Sequence, residues 1–226
     1  GAGVVLYEPD EERLFHNLEK INPQVDKIFL YANSNIEKIA EKLKKFNVVI
    51  LGSGQNIGLA KALSAIMEEA SEKYQMEWVV TFDQDSIAPD NMIEVMYPFL
   101  SEESTAIVCP QVIDKRRPYM KKQTKKKEYV SRCITSSSCT KISAWKDVGK
   151  FDENLFIDLI DNDFCKRLIL KGWKILRIND LVLDQEFGNI ELKSPKKVKF
   201  YMNIAKKIKN KNLSTNIAKL SYKKTV

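Results

Sequence analysis

Histidine is almost missing from this 226-residue sequence, with His16 alone. The four cysteines, Cys109, Cys133, Cys139 and Cys165, show no Cys-x-x-Cys spacing. These two shortages remove a structural zinc site and any histidine-based triad, and leave the cysteines as small apolar residues of a reducing compartment. Long hydrophobic runs are lacking too. No apolar stretch approaches the roughly 20 residues that span a bilayer, and no charged, apolar and small-residue succession marks a leader, so a cytoplasmic protein is expected. There is no low-complexity tract or internal repeat. Hydrophobic residues at 44% and charged residues at 30% describe an ordinary globular chain with one sizeable domain.

The net charge of +7 is unevenly placed. From residue 189 to 226 eleven lysines face one glutamate, which leaves residues 1–188 at −3. Within this tail Val198, Tyr201, Met202, Ala205 and Ile208 recur at helical spacing among lysines. Such an amphipathic basic helix suits either an anionic membrane surface or a docked helix with a solvated lysine face. A second basic stretch, Lys115 to Lys127, carries eight cations in thirteen residues and reads as an exposed loop. Aromatic residues are too few in the tail for a nucleic-acid platform, so no nucleic-acid partner is expected.

Short apolar runs alternate with helical periodicity. Strands are expected at Val4–Tyr7, Lys27–Tyr31, Val48–Leu51, Trp78–Phe82 and Ala106–Ile113. Helices are expected at Glu11–Lys20, Ile36–Lys45, Ile57–Tyr74, Asp90 to about Leu100, and Leu159–Lys171 ending at Gly172. Residues 128–150 read as short strands and turns, with two late strands at Trp173–Ile178 and Leu181–Leu183. The alternation predicts an α/β fold with a mainly parallel, Rossmann-like sheet flanked by helices, and such sheets bind ligands at the carboxyl ends of their strands.

Polar clusters stand at several of those ends. Asp83-Gln84-Asp85 follows Trp78–Phe82, so two carboxylates leave a buried strand at one turn. Mg²⁺ and Mn²⁺ are held by one or two carboxylates together with substrate phosphates, although an Asx-turn or helix cap would use the same residues. Asn56-Ile57-Gly58 opens a helix after the Gly52-Ser53-Gly54 turn, where backbone amides attract anions. It fits neither the phosphate-loop nor the dinucleotide glycine spacing. On the helix after Leu159, Asp163 and Arg167 are four apart and can pair, which leaves Asp161 on another face for general-base chemistry or for helix capping.

Taken in order, Val4–Tyr7 before Pro9-Asp10, Asn56-x-Gly58-x-Ala60, Trp78 through Phe82-Asp83-Gln84-Asp85-Ser86, Gly149-x-Phe151-Asp152 through Phe156-Ile157-Asp158, and Asp161-x-Asp163-x-Cys165-x-Arg167 resemble family 2 glycosyltransferases with a GT-A fold, most of all their bacterial rhamnosyltransferase-like branch. The resemblance spans roughly residues 4–188. It implies a glycosyltransferase domain over 1–188, with a nucleotide-sugar half at 1–100 and an acceptor half at 101–188, followed by the basic tail at 189–226. It implies a metal-dependent inverting transfer of rhamnose or a similar sugar from a dTDP- or UDP-sugar to a bacterial cell-surface polysaccharide or lipid-linked glycan. Asp161 would be the catalytic base. Tyr7, Pro9, Asn56, Asp83 and Gln84 would line the donor site, and Asp158 and Arg167 the acceptor side. Asp85 would hold Mg²⁺ or Mn²⁺, with Gln185 as a weaker oxygen ligand.

Two departures from that family pattern stand out. Ala32 replaces a carboxylate expected to recognise the base, and Gln185 replaces an imidazole expected near the diphosphate. The competing classes are an inactive glycosyltransferase-like binding module and a nucleotidyltransferase, although the basic glycine-rich triphosphate loop of the latter is not found. Peripheral attachment at the inner face of the plasma membrane through the tail is the further expectation.

Overall fold

The structure is a computed structural model that describes residues 1–114 and 122–184. Its first strand, β1 (Ala2–Leu6), is buried along its whole length, as its unbroken apolar sequence requires of a central parallel strand. β2 (Ile28–Ala32), β3 (Val48–Leu51) and β4 (Trp78–Phe82) run parallel to it. The second half of the sheet comprises β5 (Thr105–Ile113), β6 (Lys127–Val130), β7 (Ser138–Lys141) and β8 (Lys174–Asp184). The order across the sheet is β3-β2-β1-β4-β7-β5-β8-β6. β7 is antiparallel to both β4 and β5, and β6 is antiparallel to β8, so parallel pairing governs the first half and mixed pairing the second.

Among the described residues six helices cover the two faces of the sheet. α1 (Glu11–Ile21), α2 (Glu37–Leu43) and α4 (Met92–Met96) bury Leu14, Leu18, Ile39 and Met92 in one core with β1 and β4 residues such as Val4 and Val80. α3 (Leu59–Glu72), α5 (Ile142–Asp147) and α6 (Ile160–Leu170) bury Leu63, Ile66, Trp145 and Phe164 in the core on the other side. Each helix carries an apolar stripe that only a sheet face can cover, which produces three layers. α1 begins where the Asp10 carboxylate accepts the Arg13 N–H at 2.9 Å, a side-chain cap reinforced by Glu11 and Glu12 in the first turn. α4 is shorter than its sequence pattern because Pro98 turns the chain into a 3₁₀ segment, Tyr97–Phe99.

The late strands expected at Trp173–Ile178 and Leu181–Leu183 form one strand with a register break. Pro110 pairs with Ile178 and Gln111 with Val182, so three residues of β8 bulge at the place where Pro110 lacks an N–H. Buried Asn179 holds the bulge. Its side-chain amide donates to the Lys125 carbonyl at 2.9 Å and to Glu128 at 2.9 Å. Residues 128–150 resolve into β6, β7 and α5, as the expectation of short elements allowed. Among the described residues no helix is long and apolar enough to cross a membrane.

Candidate active site

The parallel half of the sheet presents Tyr7, Asn33, Gly52 and Asp83 just beyond the carboxyl ends of its four strands. Gln84 joins two of those ends. Its Oε1 accepts the Tyr7 N–H at 2.8 Å and its Nε2 donates to the Tyr7 carbonyl at 2.9 Å. The Gln84 amide is thus committed to backbone, while the Tyr7 ring stands half-exposed above it, 49% accessible. Pro9 follows at intermediate burial.

Asp85 is fixed through its main chain. Arg13 of α1 donates Nη2 at 2.7 Å and Nε at 3.2 Å to the Asp85 carbonyl. Its carboxylate is exposed and carries no hydrogen bond among the described residues. Asp83 lies at the root of the same turn at intermediate burial, and its carbonyl accepts the Ser86 N–H at 3.1 Å. These hard carboxylate oxygens suit Mg²⁺ or Mn²⁺. No group of three or more His, Cys, Asp or Glu side chains gathers at metal-binding spacing among the described residues. An ion here would therefore take much of its shell from phosphate and water, as Mg²⁺ commonly does. Gln185 lies outside the described residues.

Asn33 arranges the glycine-rich segment. It is buried, and its Oδ1 accepts the Ile57 N–H at 3.2 Å while its Nδ2 donates to the Gly58 carbonyl at 3.3 Å. Asn56 closes a local turn by accepting the Gly58 N–H at 3.0 Å, and stays exposed. Gly58 adopts φ +88°, and a Cβ there would lie 2.8 Å from Phe156 Cδ2 and 2.9 Å from the Phe156 carbonyl oxygen. Only glycine allows this approach, which brings residue 156 to the start of α3 through the Leu59 N–H to Phe156 carbonyl bond at 2.6 Å.

A cavity of about 410 Å³ opens where β5, β7, β8 and the start of α6 meet, with Arg132, Ser136, Ser138, Asp161, Asn162 and Arg177 as its polar lining. Leu159 precedes α6 in the left-handed conformation and offers no side-chain cap, so Asp161 lies in the first turn with its Oδ1 accepting the Asn162 N–H at 3.0 Å. Burial raises the Asp161 carboxyl above its ordinary value. Backbone hydrogen bonds oppose that rise, the Asp158 charge adds to it and the Arg132 charge reduces it. A half-buried carboxylate with a raised pKa, facing a cavity, has the properties of a general base. Asp158 itself is exposed.

Arg167 points elsewhere. Its Nε donates to Asp163 at 2.8 Å, Nη1 donates to the Val148 and Lys150 carbonyls at 2.6 and 2.7 Å, and Nη2 sits 2.7 Å from the same Asp163 oxygen as an ion-pair contact. The expected pairing of Asp163 with Arg167 is present. The guanidinium fastens α6 to the 148–150 turn and is not part of the cavity lining.

The cysteines are all free thiols, and Cys109 and Cys133 lie in the wall beside Asp161. Burial pushes the Cys139 thiol up to about 12. Ser136 joins the two halves of the site: its hydroxyl accepts the Asp83 N–H at 3.2 Å, lies 2.7 Å from Ser86 Oγ, and lines the Asp161 cavity. Ser136, Arg132 and Arg13 escape a reading of the sequence. The run Thr135-Ser136-Ser137-Ser138 before an apolar strand was the available signal for the first of these.

The sequence profile described as Glycosyl transferase family 2 matches residues 12–156. The dTDP-rhamnosyl transferase RfbF of Shigella flexneri is 26% identical over 209 residues, covering 85% of this chain and 70% of that protein. Among solved structures, GalNAc-T7 with UDP, GalNAc and Mn²⁺ superposes with a TM-score of 0.68 at 13% identity, over 82% of this chain and 43% of that one. S. aureus TarS in complex with UDP-GlcNAc gives 0.65 at 16% identity, over 94% and 67%. The mannosyltransferase PcManGT of Pyrobaculum calidifontis with GDP-Man and Mn²⁺ gives 0.65 at 14%, over 84% and 57%. The chain thus spans about half the length of two of these three structures.

Proposed function

The chain belongs to glycosyl transferase family 2 and has the GT-A fold, and from that footing we propose a metal-dependent inverting transfer of rhamnose or a similar sugar from a dTDP- or UDP-sugar to a bacterial cell-surface polysaccharide or lipid-linked glycan. One observation carries the reading. Ser136 bonds to the Asp83 turn and also lines the Asp161 cavity, so a donor at that turn and an acceptor in that cavity would adjoin.

In this reading the nucleoside packs by Tyr7 and Pro9, with Asn56 beside it, and Asp83 contacts the sugar nucleotide. Gln84 serves the donor indirectly, because its amide fixes the Tyr7 backbone. Asp85 would hold Mg²⁺ or Mn²⁺ with help from Gln185, and the ion would supply Lewis-acid stabilisation of charge on the departing diphosphate. Asp161 takes the proton of the acceptor hydroxyl. The hydroxyl oxygen forms its bond to the anomeric carbon as the bond from that carbon to the diphosphate oxygen breaks, and the leaving group takes the electron pair. A single displacement inverts the centre. Asp158 borders the acceptor side, and Arg167 supports α6 from below. The catalytic domain is taken as 1–188, with the tail at 189–226 attaching the enzyme to an anionic membrane surface, where each lysine contributes about 1 kcal/mol.

The test is a pair of measurements on Asp161→Asn with an active donor: donor binding by calorimetry and sugar transfer by product analysis. Retained binding with lost transfer supports the assignment. Full turnover by the variant removes it.

A further inference from the structure

Among the described residues two cations line the Asp161 cavity, and they differ in how they are held. Arg177 is neutralised. Its Nη2 donates to Glu128 at 2.8 Å and its Nε to Asn179 at 2.8 Å, and the same contacts lower the Glu128 carboxyl below its ordinary value, with the Asn179 hydrogen bond first and Arg177 second. Arg132 carries no hydrogen bond, ion pair or ring contact among the described residues, although it shares the cavity with Asp161. An arginine beside a carboxylate ordinarily closes a two-pronged pair with it. Here the two groups face the same 410 Å³ space without joining. Asp161 is the one acidic side chain among the described lining residues; with Arg177 paired to Glu128, the charges of Arg132 and Asp161 balance, and Arg132 is the lining cation whose N–H donors remain for a ligand.

We propose that Arg132 is the acceptor-recognition residue of this site and that it selects an acceptor bearing an anionic group, a carboxylate or a phosphate, within one sugar unit of the reacting hydroxyl. The inference rests on the assignment of the Asp161 cavity to the acceptor. A planar guanidinium matches either anion through two parallel N–H bonds, which a neutral hydroxyl cannot reproduce. Holding the anion at Arg132 leaves a neighbouring hydroxyl of the same sugar to approach Asp161, so recognition and proton removal share one cavity. The donor's diphosphate belongs to the Asp83–Asp85 turn, on the other side of Ser136. The exposed lysines Lys122, Lys125, Lys126 and Lys127 precede and open β6, and their charge favours the approach of an anionic glycan.

The full-length chain, with dTDP and Mn²⁺ present, is titrated with methyl glucuronide, glucose 6-phosphate and methyl glucoside, with inorganic phosphate as a control. At least one anionic sugar should bind ten-fold or more tightly than the neutral one, and that preference should weaken with added salt. Arg132→Ala should abolish the preference, and Arg132→Lys should retain part of it, with dTDP affinity unchanged in both. Whichever anionic sugar binds distinguishes carboxylate from phosphate. Asp161→Asn should keep the preference while losing transfer, so failure of the base assignment and failure of this one are read separately. The proposal is overturned if wild type binds all three sugars alike, if inorganic phosphate matches the sugar phosphate, if the preference survives Arg132→Ala, or if Arg132→Ala weakens dTDP instead.

Discussion

The Ser136 hydroxyl accepts the Asp83 N–H at 3.2 Å from across the β4–β7 pairing, and this bond couples the strand-end carboxylates to the cavity that contains Asp161. Ser136 is 1% accessible, so its loss cannot be repaired by solvent. Ser136→Ala should remove the hydroxyl that accepts from the Asp83 N–H and pairs with Ser86 Oγ, and destabilise the fold by about 1–3 kcal/mol. Urea denaturation gives that difference, and sugar transfer should fall further than stability because the Asp83 turn loosens.

Asp161 sets a pH dependence whose sign follows from its environment. A base works ionised, so turnover should rise with pH through a value above that of an ordinary aspartate. Asp158→Asn removes a repelling charge and should move this limb toward acid; Arg132→Ala removes an attracting one and should move it toward alkali. Profiles of kcat against pH for the three proteins check the order.

The same carboxylate affects stability in the opposite direction from activity. Its raised folded value means that the native state binds the proton more firmly than the unfolded chain, so its contribution declines as pH rises from the unfolded to the folded value. Asp161→Asn should lower kcat by roughly 10²- to 10⁴-fold and leave Tm at neutral pH equal to or above that of wild type. A scanning calorimetry trace that fell instead would show that the residue holds structure.

Gly58 packs directly against residue 156 at the start of α3. Gly58→Ala places a methyl group against the Phe156 backbone at positive φ and should cost about 1–3 kcal/mol. Thermal unfolding measures this, and donor affinity should drop with it because Asn56 caps the same turn.

Much of this was legible in the sequence because the signals were local. Four apolar runs of four or five residues gave β1 to β4, and Asp83–Asp85 stands at the end of β4 as the parallel alternation implied. Asp163 and Arg167 meet because a helix brings residues four apart together. The cavity was illegible for the opposite reason. Arg132, Ser136 and Arg177 come to line one cavity with Asp161 through the β4–β7, β5–β7 and β5–β8 pairings, whose partners lie tens of residues apart and whose order no periodicity encodes. β8 runs through a polar Asn179-Asp180 that reads as a turn, because the bonds of the Asn179 side chain appear only once β6 is beside it. The Gln84 and Arg167 side chains matched a pattern of site residues, yet their hydrogen bonds go to Tyr7 and to the 148–150 turn.

The central claim is that the Asp83–Asp85 turn receives a sugar nucleotide through a shared divalent ion. Its most direct test is a panel of dTDP-, UDP- and GDP-sugars read by thermal shift with and without Mn²⁺, for wild type and Asp85→Asn. A dTDP- or UDP-sugar should raise the Tm of wild type only when Mn²⁺ is present, by about 2.7 kcal/mol of added stability at a concentration of 100 Kd, and the variant should lose that rise. A chain that no sugar nucleotide stabilises, or an Asp85→Asn variant with the full Mn²⁺-dependent shift, would contradict the account.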